Sequence, residues 1–105
     1  MIALIVKPEA QADIEGAKVW YDGERDGLGA EFVSELDSTL ARVRAMPHQF
    51  PDVRRGVRRA LLHRFPYAVY FVLHTRDAGA VLAVLHQHRR PGTWLKRAGR
   101  GKRAG

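Results

Sequence analysis

The chain has 105 residues, 46% of them hydrophobic, and no cysteine, which makes it one domain with a genuine core. The missing cysteine excludes a disulfide scaffold, a thiol nucleophile and any cysteine-ligated zinc or iron–sulfur site. The net charge of +7 is uneven: residues 1–40 carry three basic and nine acidic side chains, whereas residues 41–105 carry fifteen basic ones against Asp52 and Asp77 alone.

Residues 2–6 are a short apolar run closed by Lys7-Pro8, which reads as a buried strand. Pro8 then suits the first turn of a helix, with Glu9 near its positive end. Ala10, Ile14, Ala17 and Tyr21 recur at helical spacing, so an amphipathic helix is predicted over 8–25. Trp20 and Tyr21 are both expected in its packing. Asp26-Gly27-Leu28-Gly29 breaks it, and Phe32, Leu36, Leu40 and Val43 mark a second helix over 29–45 that stops before Pro47. The short break makes the pair an antiparallel hairpin.

Residues 47–52 read as a loop. Strands follow at 57–62, 67–74 and 80–86, rich in β-branched and aromatic residues. Arg76-Asp77-Ala78-Gly79 supplies a hairpin turn, with Gly79 expected in a left-handed conformation. The order β-α-α-β-β-β predicts an α+β domain over 1–97: a helical hairpin packed on one face of a mostly antiparallel four-stranded sheet. The opposite sheet face is expected to be open. Trp94 to Arg97 reads as one helical turn against the sheet, and 98–105 as a basic flexible tail.

No apolar run approaches the ~18 residues of a spanning helix. The opening residues carry neither a basic leader nor a small-residue cleavage site, so a soluble cytoplasmic protein with no membrane contact is expected.

Several motifs occur in a fixed order: Ala12-Asp13-Ile14, Trp20-Tyr21, Gly27-Leu28-Gly29 leading to Glu31-Phe32, then Pro47 and Phe50-Pro51. Val57-Arg58-Arg59, Arg64-Phe65-Pro66-Tyr67, Val84-Leu85-His86, Arg89-Arg90-Pro91 and Trp94-Leu95-Lys96-Arg97 complete the set. On this topology the chain resembles the RelE/ParE superfamily of type II toxins, and within it the ParE-like group. The resemblance implies a growth-inhibiting toxin, of the kind met in plasmid stabilisation, held inactive in an oligomer by a cognate acidic antitoxin. ParE-like members poison DNA gyrase by protein contact; RelE-like members cut mRNA on the ribosome. A non-toxic basic binding module on the same fold is the third reading.

Metal-free RNA cleavage needs a base, an acid and cations at the phosphate. His86 and His88 are two apart on one predicted strand face, with Arg89 on the alternate face and Arg64 at the start of the neighbouring strand. Arg64, His86, His88 and Arg89 are thus the candidate catalytic set, although Trp94 stands where several RelE-like nucleases carry a tyrosine. Two histidines with no carboxylate close in sequence do not make a metal site, and no cofactor is expected. Arg54, Arg55, Arg58 and Arg59 cluster around Gly56 and, with Arg90, Trp94 and Arg97, are the candidate surface for the target or the antitoxin. The plainer reading of the cluster is a solvated, self-repelling stretch.

Overall fold

A computed structural model describes residues 1–89 and 91–102. Strand β1 (Ala3–Val6) runs into helix α1 (Pro8–Glu24), which opens on Pro8 as its fixed φ favours. Helix α2 (Leu28–Ala45) returns alongside, and Met46 and Pro47 end it. The turn depends on two glycines. Gly27 has φ 85°, a left-handed value that a side chain resists. Gly29 is buried where a Cβ would stand 2.6 Å from the Lys18 carbonyl oxygen, and its N–H donates to Asp22 Oδ1 at 2.8 Å. The two helices can therefore meet closely at the hairpin.

A 3₁₀ turn (Pro47–Gln49) leads to β2 (Asp52–Arg54), β3 (Val57–Leu61), β4 (Tyr67–Thr75) and β5 (Ala78–His86), and α3 (Gly92–Lys102) closes the described chain. The strands form one sheet in the order β1-β5-β4-β3-β2, antiparallel except for the β1–β5 pair. The α+β class and the helical hairpin are as expected, but the sheet has five strands rather than four. The extra strand is β2, inside a segment read as loop and arginine cluster. Three residues are too few to show alternation.

The hairpin buries the expected stripes, Ala10, Ile14, Ala17 and Tyr21 from α1 and Phe32, Leu36, Leu40 and Val43 from α2, against Ala60, Val69, Phe71, Val81 and Val84. Tyr21, Phe32, Phe65 and Tyr67 form a ring cluster at one end of this core, mostly edge to face. Gly79 corrects an expectation. It lies in β5, not in a left-handed turn, and only Gly27 and Gly56 among the described glycines have positive φ. Its reason is space: a Cβ there would sit 2.6 Å from the Val72 carbonyl oxygen.

The reverse face of the sheet is not open. Val57, Ala68, Tyr70, Leu82, Ala83 and Leu85 form a second core under Trp94 and Ala98 of α3. The Trp94 ring stacks on Tyr70, with centroids 4.9 Å apart and planes 14° from parallel. Trp94 and Ala98, one turn apart, make a narrow apolar stripe in an otherwise basic segment. Helix α3 thus runs past the expected domain end at residue 97, and residues 103–105 lie outside the described residues.

Candidate functional site

Strand β1 pairs with β5 only from Ala78 to Val81. Beyond that point no described strand flanks β5 on this side, and a bulge at Leu82 shifts the register between Tyr70–Ala83 and Phe71–Val81. The bared backbone is satisfied by two side chains from different helices. Asp13 of α1 accepts from Val84 N–H at 3.0 Å, and Arg97 of α3 donates to the Leu82 carbonyl at 3.0 Å. Arg97 and Asp13 also pair with each other, Nη1 to Oδ2 at 2.6 Å, with only 16% and 14% of their side chains exposed.

Next to this closure, a groove of about 580 Å³ lies between α1 and the end of β5, lined by Trp20, Tyr21, Pro66, Tyr67, His86 and Arg89. Trp20 is 59% exposed. It stands one position off the buried stripe, so it borders the groove and not the core; that offset was readable in the sequence. Burial pushes the Tyr67 phenol above its usual value, and the nearby Arg89 charge acts in the opposite direction. The His86 ring lies 5.7 Å from the Tyr67 ring and 5.2 Å from that of His88. The His88 backbone N–H donates to His86 Nδ1 at 3.2 Å, which leaves the proton of a neutral His86 on Nε2.

The candidate catalytic residues are only partly gathered. His86, His88 and Arg89 share one strand end. Arg64 does not line this groove. It borders a different hollow with Glu31, Ser34, Glu35, Ser38 and His63. There its Nη2 donates to Glu31 Oε1 at 2.7 Å, and its guanidinium sits over the Phe65 ring at 5.5 Å. The Glu31 carboxyl is held below the usual glutamate range, first by that hydrogen bond and then by Arg25. The Glu35 carboxylate accepts from the His63 and Arg64 backbone N–H groups, fixing the β3–β4 loop on α2. Among the described residues, no three His, Asp or Glu side chains converge as a metal ion requires.

The candidate binding residues divide in a similar way. Arg54 and Arg55 are exposed at the β2–β3 hairpin. Arg58 is half-buried and donates to the Phe50 carbonyl at 2.6 Å, tying the loop after α2 to the sheet. Arg59 is half-buried opposite Tyr70 in the register, and its Nε is buried with no hydrogen-bond partner. Trp94, 5% exposed, and Arg97 are committed to internal contacts. Arg90 lies outside the described residues. Asp13 and Tyr67 entered the sequence reading only inside motifs, and neither they nor Glu35 were given a role there. The partners of Asp13, Glu35 and Tyr67 are 71, 28 and 19 positions away or more, so no local pattern carried them.

A chain of the solved chromosomal ParDE toxin–antitoxin system from P. aeruginosa shares this fold. The TM-score is 0.71 at 19% identity, covering 82% of this chain and 96% of that one. No curated protein matches the chain significantly. No described helix is long and apolar enough to cross a membrane. Residues 4–91 match the sequence profile of the family described as the ParE toxin of the type II toxin–antitoxin system parDE, and the chain therefore belongs to the ParE toxin family.

Proposed function

We propose that the chain inhibits growth by contacting DNA gyrase, and that a cognate acidic antitoxin holds it inactive in a hetero-oligomer in the cytoplasm. Membership of the ParE family carries this reading. The charge distribution supports it: Arg54 and Arg55 are exposed cations with no ion pair among the described residues, suited to an acidic protein partner. The placement of Arg64 also favours contact over cleavage, because its guanidinium is held by Glu31 and not aimed at His86.

Ribosome-dependent mRNA cleavage is the second reading. One observation favours it: His86, Arg89 and the partly buried Tyr67 line one groove, with the His88 ring 5.2 Å from that of His86, a set able to exchange a proton and grip a phosphate. The test is purified toxin in a gyrase supercoiling assay, with and without the antitoxin, beside primer extension on cellular mRNA after induction. The expected outcome is lost supercoiling, restored by the antitoxin and unchanged in a folded His86→Ala/His88→Ala variant. Intact gyrase activity with fresh mRNA ends, abolished by the same variant, would replace gyrase by mRNA as the target. Neither effect would leave a binding module without toxicity.

A further inference from the structure

On the α3 side of the sheet, beyond Trp94, lies a cavity of about 350 Å³. Val72, Leu82 and Ala98 give it an apolar base, of which Leu82 and Ala98 are buried. Lys7 from the end of β1, His74 from the end of β4 and Arg55 from the β2–β3 turn also line it, and His74 and Arg55 are exposed. No described lining residue is acidic. Cations over a low-dielectric floor, with no carboxylate to neutralise them, focus a positive potential into the cavity.

A second observation points to the same place. Arg55 has φ 51° and is the one described non-glycine residue with positive φ; Gly56 beside it has φ 81°. Two consecutive positive values make a hairpin turn whose first position asparagine, aspartate or glycine fills with less strain. The turn geometry does not call for an arginine, and Arg55 makes no ion pair among the described residues. What it adds is a guanidinium at the cavity.

We propose that this cavity is a docking site for an acidic protein segment that inserts one apolar side chain, its flanking carboxylates meeting Arg55 and Lys7. The base favours a peptide over nucleic acid. The floor of Val72, Leu82 and Ala98 offers no aromatic platform for a base, the one ring in the lining being the exposed His74 at the end of β4, and a phosphodiester would engage the cations while leaving the apolar floor uncovered. This assignment concerns where an acidic partner sits and does not depend on gyrase being the target.

The probe is a short synthetic peptide with one central leucine flanked by aspartates and glutamates, titrated against the full chain by fluorescence anisotropy. Two controls replace its acids by asparagine and glutamine, or its leucine by serine. The acidic leucine peptide should bind, shift the amide signals of Val72, Leu82 and Ala98, and lose about tenfold in affinity in either control. Arg55→Asn should cost about tenfold in affinity while the unfolding midpoint holds or rises by about 4 °C as strain is relieved. The proposal is overturned if the acidic peptide does not bind, or if Arg55→Asn binds it equally well. It is also overturned if a single-stranded oligonucleotide competes as effectively. A fall in the Arg55→Asn midpoint would show that folding, not binding, holds the arginine there.

Discussion

Replacing Arg97 by methionine should test how α3 is held to the rest of the molecule. The substitution keeps the length and apolar stem of the side chain but removes its charge and its donors. It leaves Asp13, 14% exposed, with one remaining hydrogen bond from Val84 N–H, and it strips the Leu82 carbonyl of its partner. Breaking a fully buried ion pair from one side costs ~3–5 kcal/mol, and residual hydration of this pair lowers the figure to about 2–3 kcal/mol. At 105 residues each kcal/mol moves the midpoint by roughly 4–8 °C, so a fall of about 8–24 °C is expected. Urea unfolding should show a lower midpoint with an unchanged slope. In a Trp20→Phe background the remaining emission belongs to Trp94, which should shift to the red as its cover loosens. The double variant Asp13→Leu/Arg97→Met should lose less than its two single variants together, because no charge is then stranded. It should still fall below the parent, since Val84 N–H and the Leu82 carbonyl remain unpaired. A loss under about 0.5 kcal/mol in Arg97→Met would refute the argument, as would strict additivity in the cycle.

Three further outcomes follow from the same geometry. Trp94→Ala should cost about 3 kcal/mol because it empties the stack on Tyr70, whereas Trp20→Ala, at a side chain 59% exposed, should cost under ~1 kcal/mol; chemical denaturation separates the two. Gly79→Ala should destabilise by roughly 1–3 kcal/mol, because its Cβ would press on the Val72 carbonyl at 2.6 Å, and thermal unfolding reads the loss directly. Glu31 has a lowered pKa in the fold, so its contribution is present above the unfolded glutamate value and disappears as pH falls through the lower folded one. A Glu31→Gln variant should therefore be less stable than the parent near neutrality and equal to it in acid, and equal stability at all pH values would remove the Arg64–Glu31 pairing from the account.

Much of the fold was legible because its signals are local. The α1 and α2 stripes repeat at helical spacing, Pro8 and Pro47 bound the helices, and β-branched and aromatic runs mark β3 to β5. Two features escaped. The cover on the reverse face escaped in part: a turn at Trp94 to Arg97 was expected against the sheet and is there, but Ala98 stands among glycines and basic residues, so composition suggested a solvated end beyond it and an open face. The site residues escaped for another reason. Arg64 and His86 resemble a catalytic pair in a list of residue types, but which of them meet is fixed by Glu31 on α2 and by the path of the β3–β4 loop. Long-range pairing of that kind leaves no periodicity to read.

The charge asymmetry of the sequence gains a physical meaning from these pairings. The acids of the first forty residues do more than solvate two helices. Asp13 secures the bared edge of β5 and Arg97, Asp22 anchors the hairpin turn, and Glu31 and Glu35 hold Arg64 and the loop before β4. Each pairing engages a late cation or a backbone donor, although Arg64 keeps 62% of its side chain exposed. Arg58 is engaged in another way, by the Phe50 carbonyl. The arginines that no acid or carbonyl reaches are then defined by exclusion, and among them Arg54 and Arg55 project together at one hairpin, on the edge farthest from β1. A surface for an acidic partner thus arises less from the number of arginines than from which of them the acidic helices leave unspent. Adding a carboxylate within reach of that hairpin should weaken binding of an acidic partner as effectively as removing Arg55, with no change to the arginine count.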